Sequence, residues 1–284
     1  MLTSQSIYET YERNGFVIPI DVMSTAEATQ LRMDLEYAEE ELAGDSEKLM
    51  LLRSYPDRLL PSFDRLIRNQ KLVDLVSAIL GNDLMVWSSS LFLKDAASSD
   101  IVTWHQDLNY WGLDAINEIT AWVALSPSHV ASGCMRFIPG SHTRNTVPHV
   151  DTFADNNLLS RGQEIALNVD EDAAVNVILK PGQASLHHGH LFHASGPNTT
   201  DDRRIGSAIR YISTSMRQKA GDRTLVALVN GVDRFDHFTI ANPPRGRLHE
   251  ADFELCRRDA KIKRRVLYEG VDSCLLYTSD AADE

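Results

Sequence analysis

From residue 82 onward this chain is hard to fold as a helical bundle. The segments LMVWSSSLFLK, IVTWHQDLNYW, EITAWVALS, CMRFIPG, VNVILK, QASLHH and RRIGSAIRYIST are short, rich in β-branched and aromatic side chains, and punctuated by Gly, Pro, Asn and Asp. Such residues suit a pleated, half-buried surface, and the punctuation leaves room for strands rather than long helices. That many strands at this spacing predict a sandwich or closed barrel with helices covering one side. The helices come first: Ser24 and Glu27 form a capping box ahead of AEATQLRMDLEYAEEELAG, and KLVDLVSAIL is a second apolar-periodic helix ending at Gly81. Helical character returns in HEADFELCRRDAKIKRRVLYEG. The expectation is one domain over 1–272, with N-terminal helices at about 4–80, a β core at about 83–230 and a C-terminal helix at about 249–269. A chain of 284 residues with 43% hydrophobic content can bury a core of that size. The last stretch, SCLLYTSDAADE at 273–284, breaks with the basic helix before it, reads as a non-native tail such as a translated cloning scar, and is left out of fold reasoning.

Charge narrows the partners. Lys+Arg 28 against Asp+Glu 40 gives a net charge of -12, which repels phosphate backbones and anionic lipid unless a local patch reverses the field. No nucleic-acid or membrane partner is expected. The six basic residues from Arg257 to Arg265 are read as a solvated helix face. The first twenty residues have no basic start followed by an apolar core, and no apolar run reaches the length of a membrane span. A cytoplasmic enzyme acting on a small molecule fits this balance, with oligomeric state left open. Cys134, Cys256 and Cys274 are odd in number and lack metal-like spacing, so reduced thiols are expected.

The stretch WHQDLNYW carries the chemistry. If it is a strand, His105 and Asp107 share a face, because alternate residues point the same way. Downstream, HHGHLFHASGPN supplies His187, His188, His190 and His193 ahead of an arginine-bearing strand. One distal histidine added to His105 and Asp107 makes two imidazoles and one carboxylate, a set that leaves positions open on a non-haem Fe(II). Alone, H-x-D is a weak signal; with a distal His and an Arg eleven residues beyond His193 it is much stronger.

WHQDLNYW, GCMRFIPGSH and HASGPNTTDDRRIGSAIRY resemble the phytanoyl-CoA dioxygenase family of Fe(II)- and 2-oxoglutarate-dependent oxygenases, from GFVIPIDVMS near residue 15 to about residue 214. The resemblance implies a double-stranded β-helix, a cupin-like jelly-roll barrel with iron at its mouth. It implies His105, Asp107 and His193 as the iron ligands and Arg204 as the residue that binds the distal carboxylate of 2-oxoglutarate. Trp122 and Ser195 match further cosubstrate contacts, and Arg53 falls where relatives often carry a basic or polar one. The implied reaction hydroxylates a C–H bond of a small metabolite with O2, while 2-oxoglutarate becomes succinate and CO2. In related halogenases a small residue stands at the position of Asp107, so the aspartate implies hydroxylation. The arginine role also makes sense physically, since a guanidinium fork binds a carboxylate bidentately and stays charged.

Asn109, Tyr110 and Trp111 follow the metal motif closely enough to line a substrate pocket, Arg136 sits in a strand that could cross the barrel mouth, and Arg210 shares a face with Arg204 and could reach an anionic substrate group. Arg203 should face the other way. Lys94 is read as a solvated lysine or a pocket-rim residue, and His129, His142 and His149 as loop or surface histidines. The acidic balance disfavours a highly anionic thioester and favours a small amine-bearing, zwitterionic or natural-product substrate. GVDRFDHFTIANPPRGR has the irregular composition from which pocket lids are drawn. Two rivals stand beside this reading: a cupin-like metalloenzyme that needs no 2-oxoglutarate and is insensitive to Arg204→Ala, and a catalytically silent ligand-binding barrel.

Overall fold

The computed structural model describes residues 4–219 and 222–268, so the 273–284 tail and Cys274 lie outside the described residues. Six helices precede the β core: α1 (Ser4–Asn14), α2 (Thr25–Glu41), α3 (Ser46–Ser54), α4 (Pro56–Leu59), α5 (Pro61–Ile67) and α6 (Gln70–Leu80). The Ser24 and Glu27 capping box is present, with the Glu27 N–H donating to Ser24 Oγ at 3.2 Å and the Ser24 N–H donating to Glu27 Oε2 at 2.8 Å. α6 stops at Gly81, whose φ of +87° favours glycine. The helical stretch is not continuous, however. Strand β1 (Phe16–Asp21) lies between α1 and α2, because FVIPI is too short and too β-branched to extend the helix past Gly15.

The core strands are β2 (Leu84–Lys94), β3 (Val102–His105), β4 (Glu118–Ala124), β5 (Met135–Phe137), β6 (His149–Asp151), β7 (Gln163–Ile165), β8 (Val175–Asn176), β9 (Gln183–His187), β10 (His193–Ser195), β11 (Arg204–Ser213), β12 (Leu225–Asn230) and β13 (Thr239–Ile240). They form a seven-stranded sheet in the order β1-β9-β4-β11-β2-β12-β13, a four-stranded sheet β3-β10-β5-β8, and the β6-β7 ribbon. This is the expected mainly β, jelly-roll architecture with flanking helices. Two predicted strands are cut short. β3 ends at His105, and Asp107–Asn109 turns as a 3-10 helix. VNVILK contributes only Val175–Asn176.

Alternation along the large sheet decides what each strand offers to which side. Ile205, Ile209 and Tyr211 of β11, Ala121 and Val123 of β4, and Leu186 of β9 join Leu52, Phe63 and Leu72 of the helices in the main core. The opposite faces carry Trp122, Ala124 and Ala208, which pack with Met135 and Phe137 of the small sheet. Arg204 and Arg210 belong to this inner face, whereas Arg203 turns outward to Glu39 on α2, as alternation requires. The closing helix α7 (Glu250–Leu267) is capped by His249, whose ring accepts from the Ala251 N–H at 3.2 Å. Cys134 and Cys256 are buried free thiols.

Candidate active site

His105 and His193 become neighbours through strand register. β10 pairs antiparallel with β3 so that His193 stands opposite His105, and the ring centroids are 4.0 Å apart. Each ring is set by the carbonyl two residues before it: His105 Nδ1 lies 2.9 Å from the Thr103 oxygen and His193 Nδ1 2.9 Å from the Leu191 oxygen. A carbonyl can only accept, so each Nδ1 carries the proton and each Nε2 presents a lone pair. Both Nε2 atoms face Asp107 Oδ1, at 3.3 Å from His105 and 4.0 Å from His193. The ligand atoms of the three residues lie within 4.8 Å of one another. That donor set suits Fe(II) and leaves its other positions free.

Asp107 reaches this point from the 3-10 turn, not from the strand face used to predict it. Gln106 makes that possible. Its fully buried side chain donates to the carbonyls of Asn145 at 2.6 Å and His190 at 2.8 Å and accepts from the Val147 N–H at 2.8 Å. The Gln106 backbone N–H donates to His149 Nε2 at 3.1 Å, so His149 is part of the frame rather than a surface residue. Sequence reasoning passed over Gln106, although it lies between the two motif residues, and placed His149 in a loop or at the surface.

Burial works against the Asp107 carboxylate, but the closeness of His105, His193 and Arg210 holds its pKa well below the usual range. Burial and repulsion from His105 push the His193 imidazole down to about 4. Both groups are therefore in their metal-binding forms at neutral pH.

The inner pocket that these residues line also contains Trp122, Ser195, Arg204 and His187. Arg204 is 1% exposed, its guanidinium lies 5.3 Å from the Trp122 ring, and its Nε and Nη2 have no hydrogen-bond partner. A buried guanidinium with idle N–H groups is costly unless an anion completes it. A carboxylate would complete it. His188 and His190 do not join the pocket: the His190 N–H donates to His188 Nδ1, and His190 Nε2 lies 3.3 Å from Thr146 Oγ1. His187 does join it, and its Nδ1 is unpartnered.

Outside lies a cavity of about 770 Å³ that shares His105, Asp107, Phe92 and Arg210 with the inner pocket. Tyr110 and Trp111 line it, the latter packed at a tilt against Trp87 with ring centroids 5.2 Å apart. Arg210 is buried with its Nε unpartnered, 5.4 Å from the Trp111 ring. Asn109 does not line either pocket. Arg136 faces away, paired with Glu171 at 2.6 Å and lying over Trp104, because Met135 and Phe137 take the inward face of β5. Arg53 is exposed and lines the outer cavity, apart from the Arg204 group.

Three further expectations need correction. Lys94 is fully buried, not solvated, since it shares the inward face of β2 with Phe92. The basic residues of α7 are only partly a solvated face: Arg257, Lys261, Lys263 and Arg264 border the outer cavity, and Lys263 donates to the Trp87 carbonyl at 3.1 Å. The proposed lid segment does not border the cavity; Phe238 is buried and β13 runs parallel to β12.

Residues 11–206 match the phytanoyl-CoA dioxygenase (PhyH) family. The chain belongs to that family. Within the curated relatives, a probable alpha-ketoglutarate-dependent hypophosphite dioxygenase of Stutzerimonas stutzeri is 29% identical over 178 residues, 62% of this chain and 61% of that protein. The ectoine dioxygenase of Halomonas elongata is 26% identical over 150 residues, 47% of this chain and 44% of that one. The alignments thus span less than two thirds of either PhyH relative. Among solved structures, the non-heme monooxygenase ThoJ in its apo form superposes with a TM-score of 0.83 at 32% identity, covering 93% of this chain and 98% of that one. No helix among the described residues of this PhyH-family chain is long and apolar enough to cross a membrane.

Proposed function

We propose that this chain is an Fe(II)- and 2-oxoglutarate-dependent dioxygenase that hydroxylates a C–H bond of a small organic substrate, yielding succinate and CO2 from the cosubstrate. The observation that carries this reading is the meeting in one pocket of the His105, Asp107 and His193 donors with Arg204, a buried cation whose N–H groups await a carboxylate. The names of the relatives support the same reaction class. Iron with 2-oxoglutarate and O2 supplies the oxidising chemistry. His105, Asp107 and His193 hold the metal, Arg204 anchors the distal carboxylate, and Trp122 and Ser195 wall its chain.

Substrate then enters through the outer cavity, where Trp87, Tyr110 and Trp111 offer flat apolar faces and Arg210 a polar contact beside the metal site. A volume of about 770 Å³ exceeds what a free amino acid fills and favours a natural-product-sized molecule. The lining carries Arg53, Arg210, Arg257, Lys261, Lys263 and Arg264 against Glu47 and Asp107, so the net charge of the whole chain is no argument against an anionic substrate there.

Anaerobic visible absorption of the iron-loaded protein with 2-oxoglutarate tests the reading. A metal-to-ligand charge-transfer band is expected in wild type, lost in His193→Ala and reached only at much higher 2-oxoglutarate in Arg204→Ala. Iron binding without a band in wild type would move the cupin-like metalloenzyme to first place.

A further inference from the structure

The inward face of β11 carries two arginines, and the same edge of each guanidinium is idle. Arg204 leaves Nε and Nη2 without partners, the fork given above to 2-oxoglutarate. Arg210 stands six residues further along the same strand, about 20 Å away at the backbone, beside the metal ligands. It is 8% exposed. Its Nη1 donates to Ser90 Oγ and to the Ala208 carbonyl at 3.5 Å, whereas Nε has no partner and Nη2 makes no hydrogen bond among the described residues. Nor does Arg210 form a salt bridge among them. Asp107 and Glu118 act on it only at longer range. Asp107 belongs to the metal set, and burial pushes the Glu118 pKa well up, so that carboxyl keeps its proton.

The free fork opens on the substrate side. Arg210 borders both the inner pocket and the outer cavity, whereas Arg204 borders the inner pocket alone. Residues of the outer cavity hold its head in place: Ser90 through the hydrogen bond above, and Phe92 and Trp111, whose ring centroids lie 5.7 and 5.4 Å from its Cζ. A buried guanidinium with an empty fork bears a desolvation cost, which a carboxylate accepting two parallel N–H bonds offsets. We propose that Arg210 binds a carboxylate of the substrate, so that the molecule oxidised is an organic acid whose reacting C–H lies within a few bonds of that group. His105 and Asp107 border the same two spaces as Arg210, which sets the acid end beside the metal, and the body of the molecule spreads over Trp87, Tyr110 and Trp111. One strand thus offers a fork to each of two acids, cosubstrate and substrate. This inference rests on the dioxygenase reading above and narrows its substrate class.

The probes are phenylacetate, 3-phenylpropionate and 4-phenylbutyrate, each with its primary amide. They are titrated calorimetrically, without oxygen, into Fe(II)-loaded protein saturated with 2-oxoglutarate, which keeps the Arg204 fork occupied. At least one acid should bind wild type about tenfold or more tighter than its amide, the scale of a charge-assisted fork. In Arg210→Gln that ratio should fall to within about twofold. Arg210→Lys keeps the charge without the fork and should retain only part of the preference. The 2-oxoglutarate dissociation constant, read from the charge-transfer band, should stay within about threefold of wild type in both variants. Acids and amides bound alike across the series would overturn the proposal, as would a preference that survives Arg210→Gln. A 2-oxoglutarate constant raised about tenfold or more in both variants would give the fork to the cosubstrate and overturn it as well. A wild type without a charge-transfer band would instead refute the cosubstrate reading, a result separate from the comparison of acid with amide.

Discussion

Raising the pH from about 7 to about 9 should stabilise the metal-free protein through one side chain, Lys94. Burial strips its ammonium of water and Arg204 repels it, and together they bring its pKa from 10.5 down to about 7. The ionisable groups that act on it are Arg204 across the strand pair, Asp100 in the loop after β2, and Cys134; the last two offset the shift only in part. Cys134 is itself held as a thiol, since burial pushes its pKa up. In the unfolded chain the lysine keeps its proton to beyond pH 10, so across this window the unfolded state binds more protons than the folded one. Stability must then rise with pH. A gap from 10.5 to about 7 corresponds to roughly 5 kcal/mol at most. Because the folded group is half-protonated near its own pKa, the part recovered between about pH 7 and about pH 9 is on the order of 2 kcal/mol. Urea denaturation of wild type and Lys94→Met at both pH values isolates this contribution, since every other titrating group is common to the two proteins. Wild type should gain about 2 kcal/mol more than the variant. Parallel profiles would show that Lys94 is not a destabilised cation.

Two other perturbations probe the frame of the site. A Cβ on Gly206 would sit 1.8 Å from Trp122 Cζ2, so Gly206→Ala must drive the indole off Arg204. A loss of about 3 kcal/mol in thermal denaturation and weakened 2-oxoglutarate binding are expected, and a silent variant would contradict the close packing. Gln106→Leu would leave the Asn145 and His190 carbonyls and the Val147 N–H without their partner. Iron affinity should fall about 10- to 100-fold in a metal titration, as for other groups that orient ligands, and unchanged affinity would show that Asp107 turns back without it.

How much of this was legible in the sequence depends on whether the question is local. The strand texture after Gly81, the capping box at Ser24 and the outward turn of Arg203 follow from propensity and alternation, and all appear in the structure. Alternation does not say where a strand ends. His105 and Asp107 converge as expected, but Asp107 does so from a turn braced by Gln106, whose partners Asn145 and His190 lie far along the chain. Arg136 was placed toward the mouth, yet its neighbours Met135 and Phe137 take the interior of a three-residue strand. Likewise the basic face of α7 becomes part of a cavity wall because the helix packs on α3 and α4 and reaches β2 through Lys263, contacts that no local pattern encodes.

Lys94 shows the limit most clearly. In SSSLFLK both faces of the strand carry apolar residues, Leu91 and Leu93 on one and Phe92 on the other. The pattern is that of a strand buried on both sides, which already argues against a solvated lysine at its end. What it cannot supply is the register. Only the pairing of β2 with β11 sets Lys94 opposite Arg204, and only the return of β10 brings Ser195 to its ammonium. Arg204 is recognisable from a motif because the role proposed for it is direct contact with a ligand. The partners of Lys94 exist only once three strands distant in sequence have been assembled, and a reading of the chain residue by residue meets it as an ordinary surface charge.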